Sequence, residues 1–418
     1  MSNPYSPTPA APRSADGPRL KVCIVAEFYP RADDPVLGIW AHRQAIAAQD
    51  AGAEVHVLVL YRPIPPLSTP RRELPAAARI LLAQPRTTTL DGIPVTYVRF
   101  VSPPRPQTYG SWGRWAAWPL ARALKRLRAT GFAFDLIHAH NAVPAGEAVR
   151  RAGLADVPLV VSVHGGDIFH TAPHSPAGKA AVRATFARAD LVLANSAGMA
   201  RDARGLDARE ARVVRLGTDM PAALESRPGD PTLVTVAHLV GRKRHQDVLR
   251  AMWALRKTMP KLRYVIVGDG PERGRLAALA DELGLSDRVE FTGQLPHPEA
   301  VARARRAHLF VMPSVDEAFG VAYVEAMAAG VPVIGCLGEP GPQEIAAAGD
   351  GIVLVPPGDV EALADAIRTE LEDPRELAVR STRARETVSA HFTWERCGAQ
   401  TVYAYGLAVR RHAGSTGA

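Results

Sequence analysis

Short apolar, β-branched segments alternate with helical stretches along almost the whole chain. This alternation predicts parallel sheets joined by helical crossovers, because two parallel strands need a long connection that is usually a helix. Each segment is apolar almost throughout, as expected for a strand that is covered on both faces. The predicted strands occupy residues 21–28, 54–60, 135–140, 158–165, 190–196, 211–217, 231–239, 263–270, 288–293, 309–314, 332–336 and 352–356.

A stretch rich in proline, glycine and charge, PAALESRPGDP (221–231), separates the first six predicted strands from the last six. Such a composition is typical of an interdomain linker. The sequence therefore predicts an α/β protein with two tandem Rossmann-like domains, each a doubly wound parallel sheet, at 19–220 and 221–390. We expect a disordered leader at 1–18, and at 391–418 a C-terminal helix and tail that pack back toward the first domain. Ligands are then expected in the interdomain cleft, beyond the carboxyl ends of the strands.

The composition is that of a soluble globular protein, with 47% hydrophobic and 22% charged residues among 418. No apolar run approaches the 18 residues of a membrane-spanning helix. Three widely spaced cysteines, Cys23, Cys336 and Cys397, match no metal or disulfide spacing and fit a reducing, cytoplasmic compartment. The net charge of +8 indicates an anionic partner, such as a phosphorylated small molecule, an anionic lipid or a nucleic acid.

Two glutamates, Glu317 and Glu325, flank a predicted helix start in EAFGVAYVE. The helix is expected over 321–329, with Gly330 after its last turn. Gly320 leaves the main chain open to a ligand, and the free N–H groups of the first turn suit an anion. The alternative is that both glutamates are surface charges near the positive end of a helix.

A cluster of cations crowds the turn VAHLVGRKRHQD (236–247), at the end of the first strand of the second domain. Such a cluster can neutralise a diphosphate. The alternative is a solvated basic turn. The cluster consists of His238, Arg242, Lys243 and Arg244.

Histidines and an aspartate follow two buried strands of the first domain. His138, His140, His164 and His170, together with Asp167, invite a zinc interpretation, yet no HExxH or CxxC motif accompanies them. We therefore predict a site without metal. His164 is either a hydrogen-bond partner of a substrate or an ordinary residue at a strand end.

Residues 92–134 contain no acidic residue. Within them, Leu120, Leu124 and Leu127 form one stripe of a predicted helix, and basic residues lie opposite. This pattern is typical of a helix on an anionic membrane surface, here through 112–128. The alternative is an ordinary amphipathic helix with its leucines against the sheet. No RNA-binding signature accompanies the basic residues, so nucleic acid is not expected as a partner.

Several motifs together resemble the retaining glycosyltransferases of family 4, which have the GT-B fold. The resemblance covers about residues 21–395, and its most specific part is EAFGVAYVEAMAAGVPVIG (317–335), which is similar to the family's E-x7-E signature. Further similar segments are VSVHGGD (161–167), ARADLVLANS (187–196), VGDGPERGRLAALADELGLSDRVEFTGQLP (267–296) and LVPPGD (354–359).

The resemblance implies a role for each matching residue toward a nucleotide-sugar donor. Glu325 is expected to bind the ribose and Glu317 the sugar hydroxyls. Lys243 is expected to bind phosphate and His164 the transferred sugar. Phe319, Gly320 and Val321 are expected to contact the diphosphate and sugar through their main chain, and Gly38 belongs to a loop that closes over the phosphates. The other residues expected at the donor site are His238, Arg242, Arg244 and Gly293. His140 and Asp167 are expected on the acceptor side.

One departure from the family pattern concerns His238, which stands where an arginine usually precedes the lysine by five residues. A neutral imidazole would stabilise a leaving group less well than a guanidinium. A second departure is RLGTD (215–219), which lacks the usual asparagine before its glycine.

The sequence therefore predicts a retaining, metal-independent glycosyltransferase without a cofactor. It would move a sugar from a UDP- or GDP-sugar to an acceptor of unknown type, in glycan, glycolipid or glycosylated-metabolite biosynthesis. The alternatives are a nucleotide-sugar epimerase or phosphorylase of the same fold, and a non-catalytic anion-binding protein. The expected location is the cytoplasm, with a possible peripheral position on the inner membrane face.

Overall fold

The chain folds into two compact units in the computed structural model, which describes residues 19–223, Arg227 and 229–416. The predicted leader at 1–18 and part of the predicted linker lie outside the described residues. The chain passes into the second unit at Arg215, ahead of the predicted position 221, and returns to the first unit at Glu395. The second unit also includes residues 195–199.

The first unit is built on a mainly parallel sheet. Its strands are β1 (Lys21–Ala26), β2 (Glu54–Tyr61), β3 (Thr87–Leu90), β4 (Ile93–Arg99), β5 (Leu136–His140), β6 (Leu159–Val163), β7 (Leu191–Ala194) and β8 (Ala211–Val213). Their order across the sheet is β3-β4-β2-β1-β5-β6-β7-β8. Each of the six strands predicted for this part of the chain is present; β2 is one residue longer than predicted and the other five are shorter.

The hairpin of β3 and β4 at the edge of this sheet was not predicted. These two strands pair antiparallel, whereas the other neighbours in the sheet pair parallel. Their connection is Asp91-Gly92, and both residues have positive φ, 47° and 80°. That conformation is typical of the tight turns that join two twisted antiparallel strands.

Helices connect the strands of the first unit. They are α1 (Ile39–Asp50), α2 (Leu74–Ala83), α3 (Arg105–Thr108), α4 (Trp112–Ala129), α5 (Glu147–Arg151), α6 (Ala172–His174), α7 (Pro176–Arg188) and α8 (Ala197–Gly205). In α4 the predicted leucine stripe, Leu120, Leu124 and Leu127, is buried. The leucines therefore pack inside the unit, as in the ordinary amphipathic alternative.

The second unit is a wholly parallel sheet with helical crossovers. Its strands are β9 (Thr232–Val236), β10 (Arg263–Val267), β11 (Val289–Gly293), β12 (Leu309–Val311), β13 (Val333–Cys336) and β14 (Ile352–Val355), in the order β11-β10-β9-β12-β13-β14. Its helices are α9 (His245–Ala254), α10 (Arg273–Glu282), α11 (His297–Arg305), α12 (Val321–Ala328), α13 (Pro340–Ala348), α14 (Val360–Glu372) and α15 (Pro374–His391). The prediction of two Rossmann-like, doubly wound domains is confirmed.

The last helix, α16 (Trp394–Thr416), belongs to the first unit from Glu395 onward. The Tyr405 hydroxyl lies 2.8 Å from His138 Nδ1, and Gln44 donates a hydrogen bond of 3.1 Å to the Thr401 hydroxyl. A Cβ on Gly398 would lie 2.0 Å from the carbonyl oxygen of Ala47. The helix therefore lies in close contact with α1. Within the described range, no helix is both long and apolar enough to cross a membrane.

Each sheet has a topological switch point, where successive connections leave in opposite directions. In the first unit it lies between β1 and β5, and in the second between β9 and β12. Crevices at the carboxyl ends of such strand pairs are the usual ligand sites of open α/β sheets. The fold thus offers one candidate site in each unit.

Candidate active site

Lys243 and Glu317 meet at the switch point of the second unit. Lys243 ends a short turn after β9, and Glu317 lies in the loop after β12. Lys243 Nζ is 2.5 Å from Glu317 Oε2, and the Ser314 hydroxyl donates a 3.0 Å hydrogen bond to the same oxygen. Arg242 Nη1 lies 3.8 Å from it. The structure therefore brings three of the predicted site residues together, and Ser314 was not among the predictions.

Lys243 and Glu317 are buried, whereas the Arg242 side chain is 35% exposed. The cluster contains two cations and one carboxylate, so one positive charge is left over. Burial alone would raise the pKa of Glu317, but Lys243, Arg242 and the Ser314 hydroxyl together hold that pKa below its ordinary value. Burial, with a smaller contribution from Arg242, lowers the pKa of Lys243 even though Glu317 opposes the shift. Glu317 is thus held as a carboxylate. The ammonium of Lys243 donates to Glu317 Oε2 and, at 3.6 Å, to Met312 Sδ, which leaves one further donor position for a ligand.

Helix α12 begins beside this pair, as predicted. Gly320 precedes its first residue with φ 84°, and a Cβ there would lie 2.3 Å from the ring of Tyr323. The N–H groups of the first helical turn have no partner inside the helix and suit an anion. The Phe319 side chain is buried against Phe392, with ring centroids 5.8 Å apart, so its main chain is the part that a ligand could contact.

The loop that carries Glu317 is held by residues at the start of α13. The Glu317 N–H donates a 2.9 Å hydrogen bond to Glu339 Oε2, and the Gly341 N–H donates one of 2.9 Å to the carbonyl of Glu317. A Cβ on Gly341 would lie 2.3 Å from the carbonyl oxygen of Phe319. Glu339 and Gly341 therefore position the loop, and neither was among the predicted site residues.

Glu325 lies one turn inside α12 and contacts His297. Its Oε1 is 2.8 Å from His297 Nε2, and its side chain is 19% exposed. His297 begins α11 and was not predicted as a site residue. The exposed fraction leaves Glu325 accessible to a ligand hydroxyl.

Other predicted donor-site residues lie at the same edge of the sheet without joining the cluster. The Arg244 guanidinium donates a 2.6 Å hydrogen bond to buried Asp247, at the start of α9. His238 is exposed just after β9. Gly293 ends β11 with φ 75°, and its carbonyl accepts a 2.9 Å hydrogen bond from the Gly268 N–H. The Arg244 guanidinium therefore stabilises the start of α9.

Three histidines occupy the switch point of the first unit. His140 Nδ1 lies 2.9 Å from His164 Nε2, and the two rings are parallel with centroids 5.1 Å apart. His138 contacts the hydroxyls of Tyr405 and Ser162. Burial lowers the pKa of His138 to about 3 and that of His164 to about 4, and it lowers that of His140 well below its ordinary value. The cluster is therefore neutral at physiological pH.

Two nitrogens of this cluster face no protein partner. His140 Nε2 and His164 Nδ1 are buried and have no hydrogen-bond partner among the described residues. Buried polar atoms are nearly always hydrogen-bonded in folded proteins, so an exception suggests a missing partner. Within the described part of the chain, no group of three or more His, Cys, Asp or Glu residues is arranged to hold a metal ion.

The two remaining predicted residues of the first unit shape its main chain. Gly38 precedes α1 with φ 64°, and a Cβ there would lie 2.2 Å from the carbonyl carbon of Phe28. Asp167 accepts hydrogen bonds from the N–H groups of Ala142 and Val143, at 2.7 and 3.1 Å. Burial raises the pKa of Asp167 to about 7, although these two bonds oppose the shift. Asp167 thus holds the turn after β5.

Two family models match the chain. The model described as Glycosyltransferase Family 4 matches residues 37–221, and the model described as Glycosyl transferases group 1 matches residues 218–387. Together the matches cover most of both units.

Similar proteins of known sequence or structure point in the same direction. The chain is 29% identical to the glycogen synthase of Mycobacterium tuberculosis, over 94% of this chain and 95% of that protein. It is 32% identical to a putative colanic acid biosynthesis glycosyltransferase, WcaL, of Escherichia coli K12, over 63% of this chain and 68% of that protein. The solved structure of Anabaena HepE in complex with UDP and glucose superimposes with a TM-score of 0.67 at 21% identity, over 93% of this chain and 100% of that chain.

Proposed function

Since this chain belongs to glycosyltransferase family 4, with its GT-B fold, and is a glycosyltransferase, we propose that it moves a sugar from a nucleoside diphosphate sugar to an acceptor hydroxyl and retains the anomeric configuration. One observation carries the proposal: the buried Lys243–Glu317 pair lies beside the start of α12, at the switch point of the second unit. This arrangement combines a cation and helical N–H groups for phosphate with a carboxylate for sugar hydroxyls.

The donor is proposed to bind to the second unit. Lys243 and Arg242 would neutralise the diphosphate, and the N–H groups at the start of α12 would bind its oxygens. Glu317 would accept hydrogen bonds from the sugar hydroxyls. Glu325 would accept them from the ribose hydroxyls, which would replace its present contact with His297. A UDP-sugar or a GDP-sugar fits this chemistry, and the HepE structure, with UDP and glucose bound, supports the nucleotide class.

The reaction requires stabilisation of the departing diphosphate, and Lys243 is the proposed source of that stabilisation. As the bond between the anomeric carbon and the diphosphate breaks, negative charge grows on the phosphate oxygens. Fixed cations and N–H groups lower the free energy of that state without reorganising. We propose that the acceptor oxygen attacks from the same face and that its proton passes to the leaving phosphate oxygen. His164, with its unpartnered Nδ1, would bind a hydroxyl of the transferred sugar.

Product analysis tests this proposal. The chain is incubated with UDP- and GDP-sugars and with a panel of acceptor glycans and lipids, and the released nucleotide and the glycosylated product are quantified. We expect nucleoside diphosphate release that depends on the acceptor, and NMR of the product should show the anomeric configuration of the donor. An epimerised sugar nucleotide formed without any acceptor would overturn the proposal.

We also propose that the reaction needs no divalent cation, because Lys243 and Arg242 supply the positive charge at the diphosphate. Activity should therefore be the same, within about twofold, after dialysis against EDTA as before. A rate that collapses with EDTA and returns with Mg²⁺ or Mn²⁺ would contradict this part of the proposal.

The outer face of α4 is proposed to rest on an anionic membrane surface. Trp115 and Trp118 are 47% and 66% exposed, and the Arg122 guanidinium lies 4.8 Å from the ring centroid of Trp118. Aromatic side chains between cations, in a segment without acids, complement anionic lipid headgroups. Vesicles with phosphatidylglycerol should sediment the protein at low salt, and the double variant Trp115→Ser/Trp118→Ser should bind them weakly. Equal binding to neutral phosphatidylcholine vesicles would argue against this surface.

A further inference from the structure

A cavity of about 680 Å³ opens within the first unit. It lies at the carboxyl edge of the sheet near the switch point, because Phe28 follows β1, Asn141 follows β5 and residues 166–175 follow β6. Small-molecule sites have volumes of roughly 300 to 1,000 Å³. The cavity is therefore large enough for a monosaccharide or disaccharide with a further substituent.

Asn141 presents an unsatisfied polar atom at this cavity. The residue is 6% exposed, and its side-chain Oδ1 has no hydrogen-bond partner in the described part of the chain. Its main chain is fixed in the left-handed half of conformational space, with φ 71°, by hydrogen bonds to Ser162 and Gly146. A strained, buried residue whose acceptor atom has no hydrogen bond is typical of a ligand site. Here a ligand hydroxyl would donate a hydrogen bond to Oδ1.

Aromatic rings line the same cavity. Phe28, Tyr109 and Phe169 contribute to its wall. Tyr109 is held in place because its hydroxyl donates a 2.6 Å hydrogen bond to Glu27 Oε2. Rigid aromatic faces pack well against the C–H face of a sugar or cyclitol ring, whose hydroxyls then point to the polar groups at the edges.

The cavity wall carries one cation, Arg105, which is half exposed and whose ion pair with Glu27 is long. The Arg105 guanidinium lies 4.2 Å from the ring centroid of Tyr109, and its side chain is 48% exposed. The carboxylate nearest to it, Glu27 Oε1, is 3.8 Å away, beyond hydrogen-bond distance. The carboxyl group of Asp167 lines the cavity, but both of its oxygens already accept main-chain hydrogen bonds. Arg105 is therefore available to an anion.

We propose that this cavity binds the acceptor and that the acceptor is a phosphorylated sugar or cyclitol. In this proposal, which rests on the proposed function, the ring lies on the aromatic wall, a ring hydroxyl donates to Asn141 Oδ1 and the phosphate binds Arg105. The acceptor hydroxyl that attacks the donor is a different hydroxyl of the same ring.

Binding without any donor tests the proposal directly. Calorimetry compares three matched pairs on the wild-type chain: glucose 6-phosphate with glucose, mannose 6-phosphate with mannose, and myo-inositol 1-phosphate with myo-inositol. Vesicles that contain phosphatidylinositol, compared with vesicles that contain the same fraction of phosphatidylglycerol and therefore the same charge, test a lipid-borne headgroup. At least one phosphorylated form should bind about tenfold or more tightly than its neutral counterpart, as expected for hydrogen bonds to a charged group. No preference for phosphate in any pair, and none for the phosphatidylinositol vesicles, would overturn the proposal.

Two variants separate ligand binding from structure. Arg105→Gln should remove the preference for phosphate, and Asn141→Gly should weaken binding about tenfold although it relieves the left-handed strain. Arg183→Gln removes an exposed cation that pairs with Asp207 and does not line the cavity, and this variant should bind like the wild type. A phosphate preference that persists in Arg105→Gln would overturn the assignment.

The source of the phosphate follows from the same experiment. If free phosphorylated sugars bind and vesicles do not, the acceptor is soluble. If myo-inositol 1-phosphate displaces the protein from phosphatidylinositol vesicles, the cavity binds the lipid headgroup. Binding of UDP or GDP is measured separately: if it persists while every acceptor probe fails, only the acceptor assignment is wrong. If the nucleotides fail, the proposed function itself is wrong.

Discussion

The two switch points share one layout but differ in their charge. In each unit a left-handed glycine precedes a helix, Gly38 before α1 and Gly320 before α12. In the second unit the neighbouring side chains form a buried ion pair, Lys243 with Glu317. In the first unit the corresponding position holds the neutral histidine cluster of His138, His140 and His164.

Under the proposed function, this difference in side chains, on sheets of the same kind, assigns a different part of the substrate to each site. A buried pair with an additional arginine matches a diphosphate with its sugar, because it offers charge of both signs. Neutral imidazoles with unpartnered nitrogens match hydroxyl groups, because they can donate or accept without a net charge. The comparison can be tested at three levels.

The largest effect is expected from removal of the carboxylate charge in the second unit. Glu317→Gln leaves Lys243 buried without a counter-ion, which should lower the free energy of unfolding by about 3 kcal/mol. Transfer should fall by about 100-fold or more, because the cation is no longer positioned for the leaving diphosphate. Urea unfolding and initial rates at saturating donor measure both quantities.

Glu290→Gln is the matched control for this variant. Glu290 is an exposed partner of Arg303, at 2.9 Å, and its loss should change stability by less than about 1 kcal/mol. A folded Glu317→Gln protein with wild-type turnover would remove the distinction between the two switch points.

The two left-handed glycines should respond differently to an added methyl group. In Gly38→Ala the Cβ meets the main chain of Phe28, which cannot move aside. In Gly320→Ala it meets the ring of Tyr323, a side chain that can shift more than main chain can, although its hydroxyl is hydrogen-bonded to Ser314 and Met312. Strain of about 1–3 kcal/mol is expected from such positions, with Gly38→Ala at the upper end and Gly320→Ala below it. Thermal and urea unfolding measure the difference.

Gly131→Ala isolates the conformational part of this cost. Gly131 also has a left-handed φ, 92°, but no atom lies within 4 Å of its added Cβ. Its loss of stability should therefore be the smallest of the three. Equal losses in all three variants would show that the close contacts at the switch points contribute nothing.

The smallest effect should appear as a difference in pH dependence. His138 and His164 have pKa values of about 3 and about 4 in the folded chain, below the ordinary histidine value of about 6.5. Below pH ~6.5 the unfolded chain binds more protons at these histidines, so their contribution to stability falls as the pH drops toward 4. The pKa of Glu317 is also lowered, so its contribution is lost only at lower pH, as the carboxylate is protonated.

Hydrogen exchange, corrected for intrinsic rates, can separate the two units. The second unit has His245, whose pKa burial lowers to about 4, against three such histidines in the first unit. Between pH 7 and 5, protection should therefore fall more in β5 and β6 than in β9 and β12. His164→Gln should reduce that difference, because it removes one of the titrating groups. Equal loss of protection in both sheets would contradict the neutral state assigned to the histidines.

The sequence was sufficient for the parallel part of the fold, because a strand buried on both faces has an unmistakable apolar pattern. The hairpin of β3 and β4 was not predicted, because the basic character of residues 92–134 carries no information about strands. The Asp91-Gly92 dipeptide between TTTL and IPVTYVR was the available signal, since this pair favours a tight hairpin turn. Helix α2 was missed as well, and none of its side chains is buried.

The sequence indicates which residues belong to the candidate site, but not which of them contact one another. Glu317 and Lys243 are separated by 74 positions, and their contact depends on β12 pairing with β9, which no local pattern specifies. The same limit applies to Arg244. A cluster of basic residues in the sequence indicates neither its left-handed main chain nor its hydrogen bond to Asp247. Glu339 and His297 contact site residues from other loops for the same reason.

The course of the chain between the units also affects the order of synthesis. The first unit receives α16, including the Tyr405 hydroxyl that contacts His138, only after residues 215–394 have left the ribosome. The second unit, by contrast, consists almost entirely of one uninterrupted stretch and can fold while α16 is still being made. Until then His138 lacks its Tyr405 partner, and a chain halted before Glu395 would contain a finished second unit and an unfinished first unit.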